Sequence, residues 1–206
     1  SDPTFKKFWL LHSIEEPTIE GNRFIVRRTK NGDTGMLQNH VLLPEAGNAQ
    51  IEKVGGKGKE FWVFGTNYPN DALPNRPDDA NERGAWRVEV LPAAPATEDC
   101  FLNVMQVADN TCKRMHDVKR IDAEKVVGVQ IADRVVTFSR DSRPLSGKVD
   151  MKVDGNAAMK FVITDLIPGT WQIKKDGKVY IPAMEVRSDD GILSFEGTAG
   201  HYEFLR

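Results

Sequence analysis

Four Asx-Gly pairs, Asn31-Gly32, Asp154-Gly155, Asp176-Gly177 and Asp190-Gly191, lie among segments whose apolar residues recur at every second position. That combination constrains the fold more than any other property of the chain. Asn or Asp followed by Gly accepts the positive φ angles of a two-residue turn, and period-two apolar residues line one face of an extended strand. Trp86, Val88 and Val90 alternate with Arg87 and Glu89, and Val149, Met151 and Val153 alternate with Asp150 and Lys152. Around Asp176-Gly177, Trp171 and Ile173 precede the turn while Val179 and Ile181 follow it. No long segment sustains the i, i+3, i+4, i+7 spacing of an amphipathic helix. The chain is expected to be all-β with little or no helix, and its C-terminal part to run as a meander of short antiparallel strands.

Three further segments, Phe8 to Leu11, Phe61 to Phe64 and Phe101 to Val107, are apolar at odd and even positions alike. Strands of that kind are expected in the middle of a thick stack, which makes a two-layer antiparallel β-sandwich the predicted architecture. A chain of 206 residues is long enough to bury a sizeable core, and one module over residues 1–206 is the expected organisation. The stretch Asp141-Ser142-Arg143-Pro144-Leu145-Ser146-Gly147 is the best internal boundary, where a main sandwich would give way to a smaller C-terminal β unit.

Charge removes several classes of function. Lys and Arg number 28 against 30 Asp and Glu, a formal net charge of -2, so no global field attracts nucleic acid or an anionic membrane. The densest basic stretch, Lys113 to Lys125, is interrupted by Asp117, Asp122 and Glu124 and reads as a solvated, mixed-charge connection. No apolar run approaches the ~20 residues that span a bilayer. Two cysteines, Cys100 and Cys112, flank the strand expected from Phe101 to Ala108, which separates its ends by roughly 25 Å at about 3.3 Å per residue. Two free thiols are expected, and without a CxxC spacing they make a weak zinc case.

Four histidines and three tyrosines are the candidates for acid-base chemistry. His12 and His40 sit beside apolar runs and are expected to be hydrogen-bonded within or at the rim of the sandwich, whereas His116 lies in a polar connection. The adjacent His201 and Tyr202 project to opposite faces of a strand and would reach one substrate only at a bulge. Gly55-Gly56-Lys57-Gly58 lacks the spacing and the Ser or Thr of a phosphate-binding loop and reads as a tight turn. The stretch from Thr66 to Ala85 is long for a connection without regular structure, and such loops are often functional. Its Asn70, Asp71, Asp78, Asp79, Asn81 and Glu82 are oxygen ligands suited to calcium, although their spacing matches no EF-hand. Otherwise neither a metal site nor a cofactor is expected, and no catalytic residue is assigned.

The order of Phe8-Trp9-Leu10-Leu11-His12-Ser13, Val54-Gly55-Gly56-Lys57-Gly58-Lys59-Glu60-Phe61-Trp62, Trp86-Arg87-Val88-Glu89-Val90 and Phe101 to Val107 resembles the C-terminal β-rich part of heparinase II/III-like polysaccharide lyases. The resemblance runs from Lys7 to about Ser139, and weakly through Pro168-Gly169-Thr170-Trp171 to the end. It implies a β-sandwich of a larger bacterial enzyme, periplasmic or secreted, whose N-terminal α-helical toroid carries much of the machinery for β-elimination of uronic-acid polymers. The family's catalytic residues match no position here. On this reading the expected partners are an acidic polysaccharide and the toroid, with neither nucleic acid nor membrane involved. The expected glycan contacts lie in and beside the long loop, with Tyr68 and Trp86 stacking on sugar and Arg76 and Arg83 pairing with carboxylate or sulfate. A stand-alone carbohydrate-binding module and a purely structural domain without ligand affinity are the alternatives.

Overall fold

The computed structural model describes residue 2, residues 4–68 and residues 84–206, and every described element of regular structure is a strand. Two compact units divide the chain, Ser1–Met115 and His116–Arg206. The stretch 141–147, the best internal boundary in the sequence, lies within the second unit.

The first unit holds β1 (Trp9–Ser13), β2 (Thr18–Glu20), β3 (Arg23–Lys30), β4 (Asp33–Leu43), β5 (Ala49–Gly55), β6 (Trp62–Val63), β7 (Thr66–Asn67), β8 (Trp86–Pro92) and β9 (Leu102–Asp109). One sheet has the order β1-β8-β5, another β2-β3-β4-β9, and β6-β7 is a separate hairpin. Phe24 and Val41 from the four-stranded sheet meet Val88 and Val90 from the three-stranded one, with Trp9, Leu11, Ile19, Val26 and Ile51 packed around them. The period-two pattern of β8 thus selects its inward face as expected. The segments apolar on both faces depart from expectation, because β1 and β9 are edge strands. Met105 and Val107 of β9 and Leu10 of β1 stay exposed.

His40 on β4 is buried, and its Nε2 lies 3.0 Å from the Asn22 amide nitrogen. Burial, assisted by the charge of Arg23, holds its pKa below the ordinary 6.5. The unfolded chain therefore binds a proton here before the folded one does. The associated stability is complete above pH about 6.5 and is lost as pH falls through the lowered folded value. Thermal unfolding followed from pH 7.5 downwards is expected to show a smaller drop in Tm for His40→Gln than for the wild type.

The second unit holds β10 (Val118–Asp122), β11 (Val126–Ile131), β12 (Arg134–Ser139), β13 (Val149–Val153), β14 (Met159–Ile163), β15 (Gly169–Lys175), β16 (Lys178–Val186), β17 (Leu193–Gly197) and β18 (Gly200–Leu205). A five-stranded sheet, β10-β11-β12-β14-β17, faces a four-stranded one, β13-β18-β15-β16. Between them lie Phe161, Ile163 and Phe195 from the first sheet and Met151, Trp171, Ile173, Tyr202 and Phe204 from the second. This is a two-layer sandwich, antiparallel throughout except that β12 and β14 pair in parallel.

Of the four Asx-Gly pairs, Asn31-Gly32 and Asp176-Gly177 close the expected hairpins, β3-β4 and β15-β16, with positive φ at both residues. Asp154-Gly155 and Asp190-Gly191 instead carry the chain from one sheet to the other. The C-terminal part is accordingly a weave between two sheets, not a meander. A tight turn reverses direction in either case, and whether the next strand pairs with the last is decided by which layer needs its apolar face.

A groove on the open face of the three-stranded sheet

The outward face of β1-β8-β5 is a small grid set by strand register. His12, Arg87 and Val54 form one row across the three strands, and Leu10, Glu89 and Glu52 form the next. Gln50 and Leu91 continue it. Together with Lys6, Phe8 and the hairpin residues Trp62, Val63 and Phe64, these side chains enclose a groove of about 580 Å³. That size lies within the range of ligand-binding clefts.

Arg87 organises the groove. Its Nε donates to Glu89 Oε1 at 2.6 Å, and its Nη1 donates to the backbone carbonyl of Trp62. Both side chains of the pair are mostly buried, 15% and 14% exposed. One guanidinium therefore neutralises the central carboxylate and ties the β6-β7 hairpin to the sheet. Lys59 stands 5.5 Å from the centre of the Trp62 ring. His12 is exposed at one end of the groove, and Gly84 approaches its Cβ closely enough that an added methyl there would sit 3.5 Å away.

The tip of the hairpin carries an unusual residue. Val63 pairs with Thr66, and the two residues between them, Phe64 and Gly65, have φ of 44° and 90°. Gly takes such an angle readily, whereas a bulky aromatic does so at a cost of about 1–2 kcal/mol. Phe64 is also 90% exposed, so packing does not compensate. A strained backbone holding an apolar ring in solvent points to function. Phe64→Asn, which creates the favoured Asn-Gly turn, is expected to raise stability by about 1 kcal/mol in chemical denaturation while removing the ring from the groove.

The residues expected to contact glycan are distributed differently. Tyr68 is 60% exposed just beyond β7, where its backbone amide donates to Phe61, but it does not line the groove. Trp86 shares the inward face of β8. Its ring covers Gly55 and Gly56, where any Cβ would collide with it, and Lys53 lies 5.9 Å from its centre. Arg76, Arg83 and the six oxygen-bearing residues from Asn70 to Glu82 lie outside the described residues. Sequence reasoning passed over Phe64, Trp62, Arg87, Glu89, His12 and Glu52 as a group. Arg87 and Glu89 registered only as the polar half of an alternation.

In the second unit, His201 and Tyr202 do project to opposite sides. His201 is exposed with its Nε2 3.4 Å from Asp150, whereas Tyr202 is fully buried and donates to the Thr198 carbonyl at 2.6 Å. Burial first, then neighbouring Tyr180, pushes the Tyr202 phenol up to about 12. A phenol so held is a core hydrogen-bond donor and does not serve as a base at neutral pH. Cys100 and Cys112 are not joined in a disulfide. Among the described residues no group of three or more His, Cys, Asp or Glu converges as metal ligands, and no helix is long and apolar enough to cross a membrane.

Residues 120–206 match the heparinase II C-terminal domain family, a span that coincides almost fully with the second unit. This part of the chain is similar to a heparinase II/III-like C-terminal region. The match supports a heparinase-like domain in this part of the chain, and the all-β sandwich there agrees with it. No curated protein matches the chain. The groove lies in residues N-terminal to the matched heparinase II domain, in a unit of its own.

Proposed function

We propose that this chain is the glycan-contacting β portion of a bacterial, periplasmic or secreted lyase that cleaves uronic-acid polysaccharides by β-elimination. In this reading the chemistry resides largely in an α-helical toroid of the parent enzyme, and the chain alone is inactive. The observation that carries the proposal is Phe64, an exposed ring held at a strained turn over a floor of Arg87, Glu89 and His12. Aromatic faces suit the apolar faces of sugar rings, while imidazole, carboxylate and amide groups suit hydroxyls. Tyr68 adds a second exposed ring just after the hairpin.

β-Elimination needs neutralisation of the sugar carboxylate, a base for the adjacent carbon-bound proton and an acid for the leaving oxygen. In the groove Arg87 is already engaged by Glu89, and His12 is the one imidazole among its described residues. That set suits holding a chain better than cleaving it. Incubated with heparin, heparan, chondroitin, hyaluronan or alginate, the chain is expected to produce no ultraviolet signal of unsaturated uronate ends. It is expected to bind uronate oligosaccharides in titration calorimetry and to lose that binding in Phe64→Ala. A rising ultraviolet signal that survives repurification would refute the inactive reading.

The apolar lining, Phe8, Leu10, Val63 and Leu91, favours a second reading in which this face packs against the toroid. In that case the chain binds no oligosaccharide, and Leu10→Ser with Val63→Ser weakens its association with a separately expressed toroid.

A further inference from the structure

We infer, on the reading that this groove holds glycan, that it selects unsulfated uronate chains over sulfated ones. Charge balance within the groove carries the inference. Its described cations are Lys6 and Arg87, and its described carboxylates are Glu52 and Glu89. Arg87 offers little to an incoming anion, because its Nε and Nη1 already serve Glu89 and the Trp62 carbonyl and only 15% of its side chain is exposed. Glu52 stands directly across from Glu89 in the register, so the middle of the floor presents carboxylate, with no unengaged cation in that row. A sulfate group is recognised through an Arg fork or a Lys point charge, and a heavily sulfated chain requires such groups in series. Here a sulfate placed over the middle row would meet Glu52 at close range, and like charges in a partly dry cleft repel.

The rest of the lining fits a ligand of low charge density. Two outward residues of one strand lie roughly 6.7 Å apart, so the rows from His12 to Gln50 extend over roughly 13 Å, enough for about two or three sugar rings. The lining includes the aromatic rings of Phe8, Trp62 and Phe64 and hydrogen-bonding groups suited to hydroxyls, His12, Gln50 and Glu52. Lys6 stands in the lining as the cation beside which a single uronate carboxylate can rest. A glycan that is mostly hydroxyl, with an isolated carboxylate on alternate or successive rings, satisfies these partners without placing several anions over Glu52.

The test is calorimetric titration of the full chain with size-matched decasaccharides of hyaluronan, alginate and heparin at low and physiological salt. At least one unsulfated chain is expected to bind about tenfold more tightly than heparin, with little change in affinity as salt rises. Phe64→Ala is expected to weaken that binding about tenfold. Glu52→Lys, an exposed change that replaces a like-charge pair across β5 and β8 with an opposite one, is expected to raise heparin affinity about tenfold and erase the preference. Heparin binding as tight as the unsulfated chains, falling steeply with salt and weakened by Phe64→Ala, overturns the selectivity while leaving the glycan groove in place. Absence of binding by all three, or binding indifferent to Phe64→Ala, removes the groove reading and the selectivity with it.

Discussion

Replacing Trp171 by Ala is expected to destabilise the second unit by about 4 kcal/mol in urea denaturation. Trp171 is fully buried on β15 among the largest core side chains, and its Nε1 donates to the Ile167 carbonyl at 3.0 Å. Truncation removes the indole's apolar contact, leaves a cavity between two sheets that cannot collapse without breaking register, and strips the donor from a partly buried carbonyl. Since a domain of this size is held together by roughly 5–15 kcal/mol, the loss leaves little margin. Trp171→Phe separates the contributions, because it retains most of the volume while deleting the hydrogen bond. Its cost is expected to be about 1–2 kcal/mol, and a cost equal to that of the Ala variant would place the effect in the hydrogen bond and not in packing.

The second large effect is expected at Arg87. Arg87→Ala strips the partner from a mostly buried carboxylate and from the Trp62 carbonyl in one step, at a cost of about 2–3 kcal/mol, less than for a fully buried pair because both side chains retain some exposure. Glu89 is then left facing Glu52 across the strands, a like-charge pair that adds to the deficit. The hairpin bearing Trp62 and Phe64 loses its anchor, and oligosaccharide binding is expected to disappear with it. Arg87→Lys keeps the charge but not the fork and should fall between wild type and Ala on both measures. The double replacement Arg87→Met, Glu89→Met is expected to fold better than Arg87→Ala yet to bind no better. Recovery of stability without recovery of binding would show that the pair's place in the groove is functional as well as structural.

The strands themselves were legible. β8 and β13 follow the alternation at Trp86 to Val90 and Val149 to Val153, and β9 covers nearly the whole of Phe101 to Val107. What the alternation concealed was partnership. β17 and β18 are separated by only Thr198 and Ala199 and still lie in different sheets, and β12 pairs in parallel with β14, across an intervening strand of the opposite layer. Apolar runs on both faces suggested central strands, yet β1 is an edge strand whose Leu10 faces the groove instead of a further layer.

The groove was less legible still, because its parts come from positions 6 to 91 and meet only through register. Phe64 was read as one more apolar strand residue, since nothing in Val63-Phe64-Gly65-Thr66 announces that the aromatic occupies a turn normally given to Asn or Gly. Trp86 drew attention as an aromatic beside a long loop, and strand parity alone would have placed it with Val88 and Val90 on the inward face.

The sequence by itself determined the class of structure, the course of most strands, the inward faces of β8 and β13 and the opposed directions of His201 and Tyr202. These are local properties, carried by backbone preference and by side-chain alternation within a few residues. Only the tertiary structure decided the division at residue 115, the sheet to which each strand belongs, and the meeting of Arg87, Glu89, Glu52 and Phe64 around one groove. Period two states which way a side chain points but not which strand lies beside it. Pairing is settled by the burial of apolar faces contributed from distant parts of the chain.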